Sequence, residues 1–214
     1  MLQLMMKDFR IQNKKIVIVL VIMAFFMQMS IERDSFIKAG IILALIASLM
    51  SINANFNSRQ TSDGDQMNLL LSLPIKRKQI ISATYLMIGI WYLTGYILFN
   101  ITDLLCTLII PRRNDVVNPF MDVRTFTFGL CLTLILLSIY YVSYYRFNYK
   151  SVQMTTQFIW ASLMALVPWM KLNPHLDSTN QMSLEIILLI ALLVLVIVPI
   201  TYWRTVQCFE KKDI

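Results

Sequence analysis

Six apolar runs divide this sequence, at about 16–31, 39–56, 79–110, 125–145, 151–170 and 183–203, with polar breaks between them. An α-helix needs roughly 20 apolar residues to cross a bilayer. Lipid offers no partner to a backbone amide or carbonyl outside a helix or a closed barrel. Six such spans use ~120 positions, and 57% of the 214 residues are hydrophobic while only 14% are charged. The expectation is an all-α polytopic membrane protein with six transmembrane helices, one transmembrane domain over residues 1–214. That composition excludes a water-soluble globular fold and a disordered chain. These residues leave no space for a soluble catalytic domain.

Lys+Arg number 19 against 12 Asp+Glu, a net charge of +7. Such a balance fits nucleic-acid binding when the basic side chains share one polar face. Here they fall between apolar runs, so membrane orientation explains them and no nucleic acid is expected. With the N-terminus inside, the inner segments hold 13 of the basic residues and the outer segments 6. Both termini are therefore expected in the cytoplasm. Cys106, Cys131 and Cys208 form no CxxC or metal-like cluster, and read as small apolar fillers.

Residues 1–15 set Leu2, Met5, Met6 and Phe9 on one helical face and Lys7, Arg10 and Lys14 on the other. That is the pattern of a helix lying in the membrane interface. No small-x-small cleavage site follows the first run, so that run reads as a span rather than a signal peptide. The second run carries Gly40, Ala44, Ala47, Ser48 and Ser51 at three- and four-residue spacing. A stripe of small residues lets another helix approach closely, within the subunit or between subunits. The third run exceeds one crossing and must tilt or project. The fourth ends in Tyr140, Tyr141, Tyr144 and Tyr145 beside Arg146 and Lys150, the marks of a membrane–water boundary. Arg204 to Ile214 reads as a basic tail.

The polar connection 57–78 is the informative one. Ser62 to Asp65 supplies helix caps, and Pro74 disfavours helix at the residue before it. A short helix over Gln66–Leu73 is predicted, carrying Met67, Leu69, Leu70, Leu71 and Leu73, with Asn68 and Ser72 among them. Lys76-Arg77-Lys78 follows at the lipid boundary. Five large apolar side chains in a polar loop require cover from the bilayer or from a partner.

A six-span chain whose second-to-third connection reads acidic, then Leu-Leu-Leu-Ser-Leu-Pro-Ile, then basic resembles the ABC-2 type transporter permeases. Within them it looks most like the small Gram-positive permeases of the staphylococcal phenol-soluble modulin exporter group. That resemblance implies a bacterial cell-membrane exporter subunit forming half of a translocation pathway, with amphipathic peptides as plausible cargo. It implies a coupling helix, here Asp65, Gln66, Met67, Leu69, Leu70, Leu71, Ser72, Leu73 and Pro74, docked on a cytoplasmic ATPase. Two ATPase copies and a second permease, identical or related, are the implied partners, with membrane lipid around them. The sequence contains no G-x-x-x-x-G-K-[ST], so ATP hydrolysis is assigned to the partner and no cofactor is expected here.

Asn100 and Asp103 share a helical stripe with Gly89, Tyr96 and Thr107 that could line a pathway. Asp103 lies more than 20 residues from the start of its run at Gln79. At ~1.5 Å per residue it also fits a carboxylate wetted at the outer surface. Gln153 and Gln157 lie four apart in the fifth run, suited to interhelical hydrogen bonding or to pathway lining. His175, the only histidine, has no metal-ligand partner near it. An embedded hydrolase lacks its Ser–His pair or HExxH. A channel or an accessory protein without an ATPase explains the spans but not the apolar side chains of the loop.

Overall fold

The computed structural model describes residues 36–60, 77–109, 123–146 and 184–210, together with Ile18, Ile22, Val152, Met154, Thr156, Gln157 and Ala161. Four long helices make up the continuous part: α1 (Phe36–Gln60), α2 (Arg77–Ile109), α3 (Val123–Arg146) and α4 (Leu184–Glu210). The seven single positions are helical as well. The interfacial helix 1–15 and the predicted Gln66–Leu73 helix lie outside the described residues.

Three of the helices are long and apolar enough to cross a membrane, over Lys78–Thr102, Val123–Arg146 and Leu188–Glu210. The apolar part of α1, Ala39–Asn53, is shorter. α2 has 33 residues, about 50 Å at 1.5 Å per residue, which exceeds a hydrocarbon core of about 30 Å. Two boundaries differ from the sequence reading. α1 runs on to Gln60 through residues assigned to a loop from Asn57. α4 continues to Glu210 through residues assigned to a basic tail from Arg204. The apolar run ends near Trp203, but Thr205, Val206 and Phe209 are buried, so packing carries the helix onward.

Among the described residues, α1 is the most deeply buried of the four helices. Every residue from Ala39 to Ile52 is buried except Leu49, which is half-buried. Its Ala39, Ile42, Leu43, Ile46, Ala47 and Met50 join Met87, Trp91, Tyr92 and Phe99 of α2 in one core. The small residues Gly40, Ala44, Ala47, Ser48 and Ser51 are all buried. A Cβ built on Gly95 of α2 would lie 3.5 Å from the Ala47 nitrogen, so the two backbones nearly touch. The stripe serves packing within the subunit, where small side chains let dispersion contacts form between main chains.

Several hydroxyl groups inside these apolar helices bond to their own backbone, while the buried Ser138 Oγ has no hydrogen-bond partner among the described residues. Thr133 donates to the Gly129 carbonyl at 2.7 Å, and Thr102 to that of Phe99 at 2.8 Å. Such bonds let Ser and Thr enter an apolar helix without an orphaned donor. α4 is peripheral. Leu188, Leu192, Leu195, Val196, Ile200 and Trp203 are exposed on a face fit for lipid.

Candidate functional site

α1 ends and α2 begins at the same end of the bundle, where α3 and α4 also finish. A second core gathers there: Ile52, Ile80, Ile81, Ile88, Leu137, Tyr140, Tyr141, Tyr144, Tyr145, Val152, Val206 and Phe209. The four tyrosines of α3 are 1–6% exposed. The sequence reading sets them at a membrane–water boundary, yet the structure turns them into protein. Their rings meet one another and their neighbours: Tyr144 on Tyr145 at 5.1 Å, Tyr145 on Phe209 at 5.1 Å, and Tyr85 on Tyr141 at 5.6 Å. Each such aromatic pair is worth about 0.5–1.5 kcal/mol beyond its buried area.

Phenol hydroxyls then tie all four helices together. Tyr141 of α3 and Ser51 of α1 are 2.6 Å apart, both buried. Tyr145 of α3 reaches Thr84 of α2 at 3.3 Å. Tyr202 of α4 reaches Ser82 of α2 at 2.8 Å, and Tyr85 of α2 reaches Thr205 of α4 at 3.2 Å. A net ~0.5–1.5 kcal/mol per bond is the usual contribution. Together they make this end a joint between helices, at the mouth of the α1–α2 connection. Ser82, Thr84, Tyr85, Tyr202 and Thr205 do not stand out by sequence reasoning. The available signal was the i, i+3 spacing of hydroxyl residues at 82/85 and 202/205.

The residues expected to act are placed as follows. Asp65, Gln66, Met67, Leu69, Leu70, Leu71, Ser72, Leu73 and Pro74 lie outside the described residues, as does Gln153. Asn100 is half-buried on α2 and donates through Nδ2 to its own helix, at the Tyr96 carbonyl, 2.8 Å away. Its buried Oδ1 has no hydrogen-bond partner among the described residues. Asp103 lies in α2 three residues further on, and its side chain is outside the described residues. Of the rest of that stripe, Tyr96 packs edge-on against Phe126 of α3 at 5.1 Å, a Cβ on Gly89 would meet nothing within 4 Å, and the Thr107 side chain lies outside the described residues. Gln157 is exposed on the same side as Met154 and Ala161, opposite the buried Val152 and Thr156.

The profile of the ABC-2 family transporter proteins matches residues 3–210. No curated protein and no solved structure matches the chain. The match takes in all four described helices and the connection between α1 and α2. The chain belongs to the ABC-2 family of transporter proteins.

Proposed function

We propose that this permease subunit works in an exporter and is driven through its α1–α2 connection by a separate cytoplasmic ATPase. The observation that carries the reading is the family match over residues 3–210, which includes that connection. ABC-2 permeases generally pair with cytoplasmic ABC ATPases, and the five apolar side chains Met67, Leu69, Leu70, Leu71 and Leu73 supply a docking surface of the right chemistry. Asp65, Gln66, Ser72 and Pro74 bound or complete it. The connection leaves the bundle beside the tyrosine-bonded joint, so force applied to it reaches α1 and α2 first.

The proposed arrangement has six spans, both termini in the cytoplasm of a bacterial cell, two ATPase copies and a second permease, identical or related. Gln157 supports the last element. A polar side chain exposed from an apolar run is costly in lipid, so it faces the pathway or the second permease. Asn100 and Asp103, with Gln153, are the further pathway candidates. Amphipathic peptides are the proposed cargo, following the likeness of the 65–80 segment to the phenol-soluble modulin exporter permeases. Affinity capture of the chain together with the proteins encoded beside it tests the reading. Capture of a P-loop ATPase supports it. Capture of none, with ion flux through the purified chain alone, favours a channel.

A further inference from the structure

Ser82 and Tyr85 are three residues apart on α2, and Tyr202 and Thr205 three apart on α4. The two pairs bond crosswise, Tyr202 to Ser82 and Tyr85 to Thr205. Counting protons orients both bonds. Ser82 Oγ also donates to the Lys78 carbonyl at 2.9 Å, and Thr205 Oγ1 to the Thr201 carbonyl at 2.7 Å. An aliphatic hydroxyl has one hydrogen. Once it is given to the helix, the oxygen only accepts, so both phenols donate. The Tyr85 and Tyr202 rings lie at 90° with centroids 5.3 Å apart, closing the crossed pair edge to face.

We propose that this crossed pair is a latch that passes displacement of α2 to the last turns of α4 during the ATP-driven cycle. The proposal rests on the reading of residues 65–74 as the ATPase contact. Three features carry it. Ser82 lies five residues after Arg77, where α2 begins, about 7–8 Å along the axis at 1.5 Å per residue. Any push on the connection therefore arrives at the latch within two turns. Both partners use an i, i+3 spacing, so a slide of one residue breaks both bonds together. Finally, Pro199 lies inside α4, less than one turn before Tyr202. Proline has no N–H for the Leu195 carbonyl, and its ring crowds the preceding turn. The helix is weakest there, so the segment from Ile200 to Glu210 can swing with α2 while the apolar part before Pro199 stays in lipid.

The test uses the permease with its captured ATPase in lipid nanodiscs, the three native cysteines replaced by alanine. Spin labels replace the exposed Ile139 on α3 and Trp203 on α4. Distances are measured by electron double resonance without nucleotide and with ATP and vanadate. With the latch intact, nucleotide shifts the distance distribution. In Tyr85→Phe/Tyr202→Phe, which removes two O–H groups and little volume, the shift should fall at least twofold while ATPase capture persists. Adding Ser82→Ala and Thr205→Val removes the acceptors left unpaired, so thermal stability recovers. A latch is not restored by that change, whereas a purely structural role is. A full shift in Tyr85→Phe/Tyr202→Phe, or its return in the fourfold variant along with stability, overturns the latch alone. If the unmodified chain captures no ATPase, the coupling reading falls and takes the latch with it.

Discussion

Gly40 of α1 and Gly129 of α3 face each other where the two helices pack backbone to backbone. A Cβ added at Gly129 would stand 3.5 Å from the Gly40 Cα and 3.2 Å from its carbonyl oxygen. It would also meet the Tyr92 hydroxyl at 2.9 Å, and that hydroxyl is already committed to the Phe126 carbonyl at 2.6 Å. Backbone lies on one side and a bonded phenol on the other, so neither neighbour yields without loss.

The four glycines of the described helices should therefore respond to alanine in a graded way. Gly129→Ala should be the most destabilising, by about 1–3 kcal/mol as for an overpacked core. At Gly40 the new Cβ would lie 2.6 Å from Phe128 Cδ1. That ring belongs to a half-buried side chain and can turn aside, so the loss should be smaller. At Gly95 the nearest atoms are 3.5–3.6 Å away, in ordinary contact, and little change is expected. Gly89→Ala meets open space and should gain up to about 1 kcal/mol of helix propensity. Thermal unfolding of the four variants in one detergent checks the order. Equal losses at Gly89 and Gly129 would contradict the packing described.

Charge placed on the α1–α2 connection should separate docking from folding. Burial of one leucine at an interface contributes roughly 1.5–3 kcal/mol. Leu70→Asp/Leu71→Asp should then weaken ATPase capture by about 10²-fold or more, while membrane insertion should stay normal, as the proposed position of the connection outside the hydrocarbon requires. Co-purification and transport, measured on the same membranes, should be lost together. Normal capture by this variant would remove the coupling assignment.

The proposed orientation is checked with single cysteines at Asn57 and Asn173 in a background free of native cysteine. A membrane-impermeant maleimide applied to intact cells should label position 173 and not position 57. Labelling of position 57 from outside would invert the topology.

Asp103→Asn separates the two positions open to that carboxylate. If the side chain lines the pathway, transport changes while expression and ATPase capture do not. Transport equal to that of the unmodified chain places Asp103 at a wetted outer surface, the outcome its distance from Gln79 favours.

Much of the fold was legible because its causes are local. The length and apolar character of each run bring α1 to α4 within a few residues of their observed positions, except where helix outlasts hydrophobicity at Gln60 and Glu210. The Gly40-to-Ser51 stripe likewise announces close packing, since only small side chains permit it. The joint at the tyrosine end was not legible. A tyrosine at the end of a span is stabilised equally well by headgroups and water or by a hydroxyl on another helix, and the local pattern is the same for both. Only the packing of α3 between α1 and α4 decided that Tyr140, Tyr141, Tyr144 and Tyr145 turn inward. Likewise Tyr202 bonds Ser82 across 120 residues of sequence, a pairing chosen by which helices are neighbours and at what register. That this chain is helical, apolar and membrane-bound follows from run length and composition alone. Which hydroxyl meets which depended on the tertiary structure, because a hydrogen bond is selected by distance in space and no periodicity encodes it.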